Sequence, residues 1–262
     1  RAQEITDGVH RVLDRVATAE AQAGREVGSV KLLAATKTRD VGEIMTAIDA
    51  GVRMIGENRP QEVTAKAEGL LKQCAQRGFT LGAATAEAVA GGAVAGDADG
   101  TRIPFHLIGQ LQSNKIGKVL PVINTIESVD SVDLAEKISR RAVARGITVG
   151  VLLEVNESGE ASKSGCDPAH AIRIAQKIGT LDGLELQGLM TIGAHVDDET
   201  TIRKCFAHLR KTRDLILASK TPGTEHCLEL SMGMTGDMEL AIAEGSTIVR
   251  VGTAIFGERA FV

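Results

Sequence analysis

Lys37 is the residue of this chain best placed to do covalent chemistry. It closes the run Val30-Lys31-Leu32-Leu33-Ala34-Ala35-Thr36-Lys37, and the polar Thr38-Arg39-Asp40 follows at once. A run of this kind reads as a buried strand. Desolvation disfavours an ammonium ion, and a neutral amine is a nucleophile toward carbonyl carbon. Lys37 is therefore a candidate Schiff-base lysine. The alternative is a side chain that carries its charge out to water along its apolar stem, as most strand-end lysines do.

A second group of residues suits an anion. Ser231 and Thr235 offer hydroxyls, and Gly252 would let backbone N–H groups approach a phosphate closely. A helix starting near Asp237 would turn its positive end toward the same place. Each of these groups alone also suits an ordinary turn. Together, and across from a lysine, they suggest a ligand with both a phosphate and an aldehyde. Pyridoxal 5′-phosphate has both. Arg250 could then donate to the pyridine nitrogen and, being always protonated, keep that nitrogen unprotonated. Such a pyridine is a weaker electron sink than one paired with a carboxylic acid. A structural ion pair in the barrel mouth is the other reading of Arg250.

The elements that must position these residues alternate along the chain. Strand-like runs cover residues 30–37, 54–57, 105–109, 125–128, 148–156, 184–193, 227–232 and 247–253. Helical patterns cover 2–23, 131–145 and 197–218, the first two ending before Gly24 and Gly146. Eight strands alternating with helices predict an α/β fold, a (β/α)8 TIM barrel of about 250 residues. In such a barrel the loops after the last two strands are the usual phosphate position. A doubly wound sheet is the runner-up, but no G-x-G-x-x-G follows the first strand. Residues 1–262 read as one domain. Residues 79–102, rich in Ala and Gly, read as a flexible insertion.

Composition narrows the classes of function. With 262 residues, 43% hydrophobic, the chain can bury a large core. A net charge of −4 gives no case for nucleic acid or an anionic membrane surface. No apolar stretch is long enough to span a bilayer, and no signal peptide is visible. The four cysteines are scattered without a C-x-x-C pair, which argues against zinc and disulfides and fits a reducing cytoplasm. There is no Tyr, which removes one class of general acid and base.

The sequence resembles the pyridoxal phosphate homeostasis proteins, also called the YggS-like or proline synthetase co-transcribed family. The matching stretches are Leu33-Ala34-Ala35-Thr36-Lys37, Gly56-Glu57-Asn58-Arg59, His106 through Lys115, Lys163-Ser164-Gly165, Leu189 through Ile192, Leu230 through Met234, and Arg250 through Gly257. They occur in family order and span nearly the whole chain. The resemblance implies a barrel like that of alanine racemase, without the second β domain, and pyridoxal phosphate held on Lys37 as a Schiff base. It also implies Asn58 near the ring hydroxyl, Arg250 at the ring nitrogen, and Ser231 with the Gly252-Thr253 backbone at the phosphate. The implied role is intracellular cofactor homeostasis without an established turnover reaction, with apo-enzymes as possible acceptors. The segment 79–102 is longer than that family leads one to expect, Thr235 stands where many relatives have Ser, and Gln110 where Pro is common.

Two enzyme readings compete. An amino-acid racemase of the alanine racemase class uses a tyrosine base from a second domain. This chain has no Tyr and reaches Val262 just after the eighth unit. A Schiff-base sugar-phosphate aldolase would share the lysine and the phosphate loops but usually carries its lysine on a later strand. Lys115 and Lys163 read as solvated surface lysines, with amines near the mouth as the alternative, and His106 reads as a core histidine or a cofactor contact. A monomer or a weak dimer fits the self-contained barrel.

Overall fold

A computed structural model of the protein describes residues 1–83 and 100–258. Among the described residues ten strands are formed: β1 (Lys31–Ala35), β2 (Ile55–Glu57), β3 (Thr80–Leu81), β4 (Arg102–Ile103), β5 (Phe105–Leu107), β6 (Thr125–Val129), β7 (Val149–Glu154), β8 (Leu184–Met190), β9 (Glu229–Ser231) and β10 (Ile248–Val251). Nine α-helices accompany them among the described residues: α1 (Ala2–Gln22), α2 (Val41–Asp49), α3 (Pro60–Gln76), α4 (Ile116–Val119), α5 (Val132–Ala144), α6 (Ala171–Gly179), α7 (Glu199–Ala218), α8 (Met238–Ala243) and α9 (Thr253–Phe256).

Eight strands close into the barrel in the order β1-β2-β5-β6-β7-β8-β9-β10, with β10 returning to β1. Every pairing is parallel. The strands are apolar on both faces because both are covered. The outer faces meet the helices in one large core. A small separate cluster of Leu33, Met54 and Ile248, with Ile108 packed on it, fills the interior. Gly56 makes room for it, because a Cβ there would lie 2.6 Å from Leu33. Strand side chains alternate, so Arg250 shares the interior face with Ile248 and lies one step nearer the C-terminal mouth.

The helices hold the loops at that mouth. α1 buries Ile5, Val9, Val12 and Val16 along one stripe. Gly8 lets it touch the end of α9, since a Cβ would meet the Ile255 carbonyl at 2.5 Å. α2 starts on a capping box, with Asp40 accepting from the Glu43 amide and Glu43 from the Asp40 amide. That cap fixes where the turn carrying Lys37 must end.

Three sequence expectations shift. β1 ends at Ala35, so Lys37 belongs to the following turn and not to the strand. Thr253 opens α9 and does not extend β10. Residues 79–102 are not all irregular: β3 and β4, at the two ends, pair in parallel, with Leu81 and Ile103 buried in the core. Most of that segment's interior lies outside the described residues.

Candidate functional site at the barrel mouth

The C-terminal strand ends bring the predicted residues to one face. Lys37 is half-buried in a turn whose next residue, Thr38, has φ 65°. Both neighbours of Lys37 are tied down. The buried Thr36 hydroxyl lies 2.8 Å from Glu57 Oε2 and donates to it, and the Thr38 amide donates to Glu62 Oε1 at 2.8 Å. Arg39 reaches from the same turn to the end of α9, donating to the Gly257 carbonyl at 2.7 Å and lying over the Phe256 ring. The turn after β1 is thereby linked to the loop after β10. Asn58 follows β2, and Gly109 presses against its backbone so closely that a Cβ would lie 2.1 Å from the Asn58 carbonyl.

Inside the mouth lies a buried polar chain. Arg250 donates from Nη1 to Ser231 Oγ at 2.8 Å and from Nη2 to the Thr191 carbonyl at 3.0 Å. Ser231 donates to Glu127 Oε1 at 2.5 Å, and His106 Nδ1 lies 2.6 Å from Glu127 Oε2. Burial alone would raise the Glu127 carboxyl. The bond and charge of His106, the charge of Arg250 and the Ser231 bond outweigh it and hold Glu127 below the usual carboxylate range. Burial lowers Arg250 from the ordinary arginine value, opposed by Glu127, Glu154 and Asp237. Arginine stays a cation through such a shift.

A second, more open set of donors lies beside this chain. Thr235 and Thr253 place their hydroxyl oxygens 3.2 Å apart on the solvent side. Gly233 turns the β9 loop with φ 101°, and its carbonyl accepts the Arg250 amide at 2.9 Å. In α9 the first amides to reach carbonyls of the turn are those of Ile255 and Phe256, both on Gly252. The amides of Thr253 and Ala254 precede that first turn and have no carbonyl within it. Gly252 sits against Ala35 of β1, so this loop and the Lys37 turn are neighbours.

The alanine racemase N-terminal domain family matches residues 12–260. The chain is 35% identical over 257 residues to the pyridoxal phosphate homeostasis protein of Vibrio cholerae, covering 98% of this chain and 97% of that one. The chain belongs to the pyridoxal phosphate homeostasis protein family. A crystal structure from Bifidobacterium adolescentis superposes with a TM-score of 0.91 at 82% identity, covering 98% of this chain and 96% of that one. The family member PipY of Synechococcus elongatus, solved with pyridoxal phosphate bound, gives a TM-score of 0.71 at 31% identity, covering 92% of this chain and all of that one.

Sequence reasoning passed over Glu127 and gave no role to Glu57 and Glu154 at the ends of their strands. Glu127, Glu154 and Glu57 are all buried. The available signal was a carboxylate inside a strand-like apolar run, as in Thr125-Ile126-Glu127-Ser128-Val129. Glu154 ends β7 and accepts from Ser164 Oγ at 2.6 Å. Burial raises its pKa, opposed by the Ser164 bond and Arg250 and reinforced by Asp130 and Glu127. Lys66, also unremarked in the sequence, is paired with Glu57 at 2.8 Å. Lys163 is exposed near Glu160 at 3.8 Å, while Lys115 lies in a short helical turn after β5. All four cysteines are free, and burial pushes the Cys166 and Cys227 thiols up to about 12, so neither is a ready nucleophile. Among the described residues no group of His, Cys, Asp and Glu could hold a metal ion.

Proposed function

We propose that this protein binds pyridoxal 5′-phosphate at the C-terminal mouth of its barrel, holds it on Lys37, and serves cofactor homeostasis in the cytoplasm. The observation that carries this reading is the convergence on one mouth of the Lys37 turn, the buried Arg250 and the Thr235–Thr253 hydroxyl pair.

The donor set fits the ligand. Two hydroxyls and the amides at the start of α9 suit a phosphate dianion. Arg250, held by Ser231 and Thr191, supports a contact to a ring nitrogen that lacks a proton. Asn58, after β2, supports a contact to the ring hydroxyl. When bound, the cofactor supplies an aldehyde whose carbon accepts the Lys37 amine, the C=N bond forming as one water leaves.

Storage and release suit these residues better than turnover does. A racemase needs a second base on the opposite face of the substrate, and the chain contains no Tyr. Arg250 opposite the ring nitrogen weakens carbanion stabilisation as well. The acceptors of released cofactor are then apo-enzymes that need it. No helix among the described residues is long and apolar enough to cross a membrane.

The Lys37→Ala variant tests the anchor. It should keep the barrel's circular dichroism and lose the near-visible absorbance that pyridoxal phosphate gains on the wild-type protein. An unchanged absorbance band would place the covalent anchor on another amine.

A further inference from the structure

We infer that Lys66 of α3, with Glu57 and Glu62, is a positioning cluster that fixes the backbone on both sides of Lys37. The inference rests on Lys37 being the cofactor anchor and deepens that reading.

Lys66 spends its whole ammonium on this task. It donates to the Thr36 carbonyl at 3.0 Å, to Glu57 Oε2 at 2.8 Å and to Glu62 Oε1 at 3.3 Å. An ammonium has three donors, and each has an acceptor here. The Lys66 side chain is 12% exposed, that of Glu57 is 0% exposed and that of Glu62 is 23% exposed. The partners then reach the chain around Lys37. Glu57 Oε2 also accepts from the Thr36 hydroxyl, and Glu62 Oε1 also accepts from the Thr38 amide. Glu57 Oε1 accepts the Asn58 amide at 3.1 Å, so the same cluster touches the segment carrying Asn58.

The backbone between these clamps is strained. Thr38 has φ 65°, a left-handed conformation that a β-branched residue adopts only when its surroundings impose it. The bond from its amide to Glu62 is the imposed contact. Without the cluster, Thr38 would relax to an ordinary conformation and swing the Lys37 side chain with it. A buried ion pair is a costly way to gain stability alone, since an apolar pair of the same shape often does as well. Its place beside Lys37 gives it a further use.

Two variants test the inference: Lys66→Met, and Glu62→Ala at the more exposed end of the cluster, which carries the test if the first fails to fold. Two ligands are compared by stopped-flow absorbance and calorimetry. Pyridoxal 5′-phosphate can form the C=N bond; pyridoxine 5′-phosphate lacks the aldehyde and binds only through ring and phosphate. The variants should slow C=N formation about tenfold or more, the order expected when a reacting atom is misplaced by a fraction of an ångström. Their affinity for pyridoxine 5′-phosphate should stay within about threefold of wild type. Unchanged C=N formation with only a lower melting temperature would reduce the cluster to a stabilising one and overturn the inference. Equal loss with both ligands would also overturn it. Failure of the wild-type protein itself to form the C=N bond would instead overturn the anchor reading.

Discussion

Arg250 and Ser231 are joined by a bond of 2.8 Å in which the serine oxygen accepts, while its single proton goes to Glu127. The hydroxyl is thus engaged on both sides, deep in the barrel. In this arrangement Ser231 holds the guanidinium in place, while the hydroxyls of Thr235 and Thr253 lie on the solvent side, open to a ligand.

Replacing Ser231 with Ala should therefore be felt before any ligand is added. It leaves a buried Arg250 N–H and a buried Glu127 oxygen without their partner. Each loss of this kind costs about 1–3 kcal/mol. Urea unfolding of the ligand-free variant should show a destabilisation of that order. Unchanged unfolding would mean that the serine is not part of a supporting chain.

The outer hydroxyls should behave in the opposite way. Thr235→Val and Thr253→Val remove solvent-facing groups, so ligand-free stability should change by no more than about 0.5 kcal/mol. Each should weaken pyridoxal phosphate binding by about 1.5–3 kcal/mol, the worth of a hydrogen bond to a charged group. Equilibrium dialysis against the two variants measures this. Affinity equal to wild type in both would remove the pair from the phosphate contact.

Two neighbouring glutamates should give the protein opposite pH responses. Glu127 is held below its usual range, so its contribution is present above an unfolded value of about 4.3 and is lost as pH falls. Glu154 is raised by burial, so its contribution is present below about 4.3 and is lost as pH rises through its folded value. A Glu154→Gln variant keeps an oxygen for Ser164 and has no proton to lose. Its stability relative to wild type should grow as pH is raised from about 4 through the folded value, then level off. A difference that stays constant across that range, measured by unfolding at several pH values, would contradict the assignment.

Much of this molecule was legible in the chain because its strands are buried on both faces. The middles of runs such as 30–37 and 148–156, Leu32 through Ala35 and Val149 through Leu153, carry no polar residue, and that continuity marks a parallel barrel. The strand ends were less legible. Lys37 continues an apolar pattern, but the capping box at Asp40 and the Glu62 bond to Thr38 bend the chain away earlier, at Ala35. These are contacts across 3 and 24 residues, and the second has no local signature. The buried carboxylates were hidden for the same reason. Glu127 meets His106 and Arg250 only when the strands pair, while Lys66 and Ser164 reach Glu57 and Glu154 from the segment that follows each strand. The short pairing of β3 with β4 was masked by the Ala- and Gly-rich residues between them.

Borohydride reduction of the wild-type protein with pyridoxal phosphate, followed by peptide mass mapping, tests the central claim most directly. A phosphopyridoxyl group on Lys37 is the predicted result. An adduct confined to other lysines, or none at saturating ligand, would contradict it.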